Sequence, residues 1–210
     1  MGSKRVFACA VDWPGWCRSG PDEHRALAAL GDYASRYAPV AEAAGARFPT
    51  RAGESFAVAE RVAGSGTTDF GAPGSVPDLD SAPLTRRQAE HLAALVAAAW
   101  QTLDAVVAAA PAELRKGPRG GGRDRDAVAQ HVVAAEAAYA RKLGVRHKEP
   151  AFDDVEAVRT LRGEILDVLR LPSDGAPLLE RGWPARYAAR RIAWHVLDHA
   201  WEVEDKSQPA

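Results

Sequence analysis

The stretch from 183 to 202, Trp-Pro-Ala-Arg-Tyr-Ala-Ala-Arg-Arg-Ile-Ala-Trp-His-Val-Leu-Asp-His-Ala-Trp-Glu, constrains the chain more than any other. Pro184 suits the first turn of a helix, where its missing N–H has no intrahelical acceptor to lose. Behind it, Ile192, His195, Val196, His199 and Val203 recur at i, i+3, i+4, i+7 and i+11, which is one helix face. Two imidazoles therefore sit in an apolar stripe. A buried polar group left unpaired costs about 1–3 kcal/mol, so each ring needs a partner, and one metal ion would serve both. Trp194, Leu197 and Trp201 make a second apolar stripe on the same helix. A helix apolar on two sides is packed on two sides, here against the N-terminal segment or another subunit.

Three earlier segments share the helical period. Thr85 and Gln88 form a capping box ahead of a helix running to about residue 110, with Leu92, Leu95, Ala99, Leu103 and Val106 along one side and Pro111 as its stop. Asp124 or Asp126 caps a second helix that continues to Leu143. A third runs from Asp153 or Asp154 to Arg170, with Asp153 and Glu156 as a capping pair. No strand signal falls between them, so a four-helix bundle is predicted over residues 84–205.

The N-terminal part reads differently. Residues 5–11 alternate as a strand does, Asp12-Trp13-Pro14-Gly15-Trp16 breaks the pattern, and 17–20 fits a short second strand. Residues 22–44 are helical on Leu27, Leu30, Ala34, Tyr37 and Ala41, and 55–62 reads as another strand. The expectation is an α+β chain: a small ββαβ module over 1–64, a Gly-, Pro- and Ser-rich linker over 65–83, then the bundle.

Bulk properties narrow the function. A net charge of -1 argues against nucleic acid or a membrane surface as partner. No unbroken apolar run approaches the roughly 18 residues of a membrane span, and the N-terminus lacks a signal-peptide pattern. A cytoplasmic protein is expected. Cys9 and Cys17 are close enough to pair but lack a C-x-x-C spacing, and free thiols are the expectation.

Of the six histidines, His131 joins the pair on the last helix. It lies in the stripe Val128, His131, Val132, Ala135 and Ala138, and so points inward. His24, His91 and His147 are expected at the surface. Metal ligands in bundles come from inward side chains on facing helices. Three imidazoles with an open position are how catalytic zinc is commonly held. The residues between His195 and His199 are Val196, Leu197 and Asp198, so the H-E-x-x-H motif of the zincin proteases is absent. Asp198 and Glu202 flank the pair and are either orienting partners for an imidazole or solvated charges. Arg190 and Arg191, one turn before His195, are candidates to bind an anionic substrate or cofactor, or else form a solvated basic face. The glycine-rich loop of Lys116, Gly117, Pro118, Arg119, Gly120, Gly121, Gly122 and Arg123 is either an anion cradle at the second helix or a flexible connection. It does not match a P-loop.

His131 within Gln130-His131-Val132-Val133, and the pair within Trp194-His195-Val196-Leu197-Asp198-His199, resemble the DinB superfamily, which includes YfiT-like proteins and mycothiol- or bacillithiol-dependent transferases. The resemblance covers about residues 84–205. It implies a four-helix bundle holding a divalent metal, zinc or nickel, on His131, His195 and His199. Some members carry Glu in place of the first histidine of the last pair; this chain has His. The activity implied is metal-dependent transfer of a low-molecular-weight thiol to a small electrophile, with mycothiol the natural thiol if the source is an actinobacterium. Metal-dependent hydrolysis is the alternative chemistry. No side-chain nucleophile stands out beyond Cys17 beside Arg18. The N-terminal segment, through Pro14-Gly15, Gly20 and the helix with Ala26, Leu27, Ala28 and Leu30, resembles the HicB-like fold. That resemblance implies pairing with a partner protein or with itself as a homodimer. It leaves open a non-catalytic metal-stabilised bundle with a partner-binding module, and also a plain appendage that packs on the bundle.

Overall fold

The computed structural model describes Gly2, residues 4–117 and residues 120–207; Pro118 and Arg119 of the glycine-rich loop lie outside the described residues. An antiparallel hairpin opens the chain. In it β1 (Val6–Cys9) pairs with β2 (Cys17–Gly20), with Val6 opposite Gly20 and Cys9 opposite Cys17. Gly15 turns the chain with φ of +93°, and a Cβ there would lie 2.5 Å from the Leu197 side chain. Only glycine supplies both that conformation and that closeness. The reversal folds the spacing between the cysteines in half, and they are joined by a disulfide, which corrects the expectation of free thiols.

The helix expected over 22–44 is two helices, α1 (Glu23–Asp32) and α2 (Ala34–Ala43), parted at Tyr33. Asp22 caps α1 by accepting the Arg25 N–H. The break is tertiary in origin. Gly31 packs against the backbone of Gly53, where a Cβ would meet the carbonyl oxygen at 2.7 Å. Tyr33 turns onto Trp201, with ring centroids 5.0 Å apart, while Tyr37 turns to the hairpin and donates its hydroxyl to the Pro14 carbonyl at 2.8 Å.

Residues 55–62 form no strand, so the ββαβ module is replaced by a hairpin and two helices. Ala57, Val58 and Ala59 are exposed, and nothing offers them a ladder. Side chains hold the segment instead: Arg61 pairs with Glu23, and Glu60 accepts the N–H groups of Asp78 and Leu79. The stretch expected as a linker contains α3 (Gly66–Phe70) and a 3₁₀ turn, Asp78–Ser81.

Four longer helices follow: α4 (Arg86–Ala109), α5 (Arg125–Ala140), α6 (Val155–Leu169) and α7 (Ala185–Ser207). The described residues thus hold seven α-helices and one two-stranded sheet, an α+β fold. Thr85 and Gln88 make the expected capping box, and Asp154 caps α6 through the Ala157 N–H. Asp124 stands at the N-terminus of α5, but its carboxylate turns outward to the Leu114 N–H and Lys116. By length and composition alone α4 is apolar enough to cross a membrane, with a mean hydropathy of 1.7 over eighteen residues, although Gln101, Thr102 and Asp104 interrupt it and no unbroken apolar run reaches that length. Here its Leu92, Leu95, Val96, Trp100 and Leu103 are buried, and it packs on α2, α5, α6 and α7.

One apolar cluster joins the two ends of the chain. Trp16, Leu30 and Tyr37 share it with Leu95 of α4, Ile165 of α6 and Ile192, Leu197 and Trp201 of α7. The N-terminal segment covers the second apolar stripe of α7: Phe7 meets Trp194 edge-on at 5.9 Å, and Arg18 pairs with Asp198 at 2.9 Å.

A charged network pins α5 to α6 and α4. Arg162 donates to Glu136 at 3.0 and 3.2 Å and to both oxygens of Asp104 at 2.9 Å. Glu136 is 1% exposed, so removing its partner strands a buried carboxylate. Arg162→Met is expected to destabilise the protein by about 3–5 kcal/mol, read from the urea midpoint, and Arg162→Met with Glu136→Leu to recover most of that loss.

Candidate metal centre

Helix α7 sets two of the three inward histidines by its own period. His195 is 7% exposed and lies between Ile192 and Val196, both buried. His199 stands one turn on. Helix α5 packs against α7 and brings His131 opposite them, anchored by Val128 and Val132, which are wholly buried. The three rings converge: centroids are 5.1 Å apart for His131 and His195, 4.9 Å for His131 and His199, and 4.7 Å for His195 and His199. One donor nitrogen from each lies within 4.8 Å of the others. Two nitrogens on one zinc ion stand about 3.3 Å apart at bond lengths of 2.0–2.1 Å, so small ring rotations bring this set to bonding distance.

Glu202, one of the two flanking carboxylates, is an orienting partner. Its Oε2 lies 2.7 Å from His199 Nδ1, and Lys206 holds its other oxygen. The hydrogen bond from His199, helped by Lys206, holds the Glu202 carboxyl down at about 2. A carboxylate on Nδ1 selects the tautomer with its proton there and leaves the Nε2 lone pair for a ligand. Asp198 instead faces the hairpin and pairs with Arg18.

Burial pushes the His195 imidazole well below its ordinary pKa, and His199 and His131 push it further. Burial and His199 lower His131 as well. The neutral imidazole is the form that binds a metal. His195 Nδ1 is buried with no hydrogen-bond partner. A buried nitrogen without a partner, two neutral rings and an oriented third fit a divalent cation with nitrogen affinity.

The two arginines one turn before His195 part ways. Arg190 is spent on Asp80, whose carboxylate is fully buried, through Nε at 3.0 Å and Nη2. Arg191 lies over the rings of Tyr139 and Trp194, 5.3 and 4.6 Å from their centroids. Tyr139 in turn stands 5.7 Å from the His195 ring and 5.2 Å from Trp183. Tyr139 was not legible as a neighbour of the centre: it lies two turns beyond His131 on α5 among alanines, with no polar motif around it. The remaining histidines are elsewhere. His24 is exposed, His147 bonds the Lys148 carbonyl, and His91, expected at the surface, is half-buried with its ring 6.0 Å from Trp13.

Glu202→Gln keeps the shape but weakens the hold on His199, and a 10–100-fold loss of zinc affinity is expected by competition with a chelating dye. The lowered imidazoles also set a pH dependence. Below the unfolded value of about 6.5 the unfolded chain binds more protons than the folded one, so stability falls as pH drops through that region. The melting temperature of metal-free protein is expected to fall between pH 7.5 and 5.5, and the fall to be shallower in His195→Gln. A scan against protein-family models, and comparisons with curated proteins and with solved structures, returned no match to this chain.

Proposed function

We propose that α4 to α7 form a four-helix bundle of the DinB kind, and that the chain is a metal-dependent enzyme transferring a low-molecular-weight thiol to a small electrophile. The observation that carries this is the convergence of His131, His195 and His199 from two helices, with donor nitrogens within 4.8 Å. Zinc or nickel held there would lower the pKa of a thiol or a water at an open position. The chain's own residues prepare that chemistry. His131 and His195 are kept neutral by burial. Glu202 fixes the His199 ring. Tyr139 stands beside the His195 ring and is backed by Trp183. Three protein ligands leave a position free for a reactant. The choice of a thiol over water as nucleophile comes from the family resemblance, and mycothiol is the first thiol to try. The non-catalytic alternative has less support, since Phe7 and Gly15 of the hairpin are taken up by α7 of the same chain.

Protein reconstituted with zinc or nickel and freed of excess metal is expected to carry about one equivalent per chain, and His131→Ala and His195→Ala to carry far less. Wild type that retains no metal while the variants fold unchanged sinks the proposal. With metal bound, mycothiol and a halonitrobenzene are expected to conjugate faster than the spontaneous reaction. Hydrolysis of an ester or amide panel without thiol consumption would move the assignment to a hydrolase.

A further inference from the structure

A cavity of about 650 Å³ lies between the hairpin, α1, the irregular segment 56–64 and α7. None of His131, His195 and His199 lines it. Its volume falls within the roughly 300–1,000 Å³ of small-molecule sites, which are mostly apolar with a few placed polar groups. The walls fit that description: Phe7, Trp13, Trp16, Phe56 and Trp194 contribute aromatic surface.

The charges around it are not evenly satisfied. Arg61 is neutralised by Glu23, and Arg190 by Asp80. Glu60 is engaged by the backbone N–H groups of Asp78 and Leu79. Asp12 is exposed at the rim, 4.0 Å from Arg186. Arg191 differs. Among the described residues no carboxylate pairs with it; its guanidinium lies against Tyr139 and Trp194, and its Nη1 is buried without a hydrogen-bond acceptor. Trp194 Nε1, on the same wall, is a second buried donor without an acceptor. A guanidinium set over aromatic faces is held in place before any ligand arrives, and its planar fork matches a carboxylate.

We propose that this cavity binds a small molecule with an aromatic or otherwise apolar body and one carboxylate, the carboxylate meeting Arg191. The body displaces water from the aromatic walls, and the carboxylate supplies the negative charge that Arg191 lacks. None of the three histidines lines the cavity, so a carboxylate there needs no bond to a metal.

The test is isothermal titration of the full chain with 2-naphthoate and with 2-naphthylmethanol, which share a ring system and differ in charge. The acid is expected to bind once per chain and at least tenfold more tightly than the alcohol. Arg191→Gln is expected to bring the two within about threefold by weakening the acid alone, and Arg191→Lys to keep part of the preference. Thermal melts of the variants show whether they fold, and the wild-type comparison of acid with alcohol stands without them. Absence of binding by either probe at millimolar concentration overturns the proposal, as does a preference for the acid that survives Arg191→Gln. Repeating the titration with EDTA separates the two sites. The preference is expected to persist in metal-free protein; one that vanishes would place the carboxylate at the histidine centre and overturn the assignment to this cavity.

Discussion

Helix α7 is surrounded, and the structure depends on how its polar side chains are answered. Ile192, Ala193, Leu197, Ala200 and Val203 have no measurable exposure, and neighbours approach from several directions. A helix covered along most of its length leaves few of its charges to solvent, those near its C-terminus such as Asp205 among them. Within α7 His199 meets Glu202 one turn on, and other elements answer Arg190 through Asp80 of the 3₁₀ turn and Asp198 through Arg18 of β2. These pairs tie distant parts of the chain to one axis. They also single out what is left over, since a buried group without a partner is costly and persists where something outside the chain completes it.

Four such groups lie on α7, in Arg186, Arg191, Trp194 and His195, and of these His195 and Arg191 stand one turn apart. His195 turns toward α5 and His131. Arg191 turns along Tyr139 and Trp194 to the cavity beneath the hairpin. The two are within electrostatic reach, since Arg191 contributes to lowering the His195 imidazole. An anion beside Arg191 would relieve part of that push. The helix therefore separates a nitrogen-rich centre from an apolar pocket while leaving them in communication through charge.

Where sequence and structure agree, the physics is local. Thr85 and Gln88 start a helix wherever the rest of the chain goes, because both bonds close within one turn. Pro14-Gly15 reverses the chain by its own dihedrals. The inward direction of His131, His195 and His199 followed from the helical period, which needs no knowledge of the neighbours. Disagreements arose where a distant partner decides. Residues 55–62 alternate like a strand, but a strand needs a ladder, and the hairpin gives it none. The helix over 22–44 breaks because Gly31 and Gly53 must touch and because Tyr33 and Tyr37 serve different surfaces. The cysteines, expected as free thiols, pair because the hairpin register sets them opposite. The apolar length of α4 says nothing about its surroundings, and packing against α2, α5, α6 and α7 makes it a core element here.

The amino-acid sequence by itself determined the four longer helices, the turn at Pro14-Gly15 and the inward direction of three histidines, because propensity, caps and periodicity act within a few residues. Only the tertiary structure decided that the three rings meet, that Glu202 rather than Asp198 orients one of them, and that Arg190 is neutralised while Arg191 is not. Those outcomes turn on which side chains approach within a few ångströms across long separations in the chain. Charge pairing and desolvation are set by that approach and not by residue type.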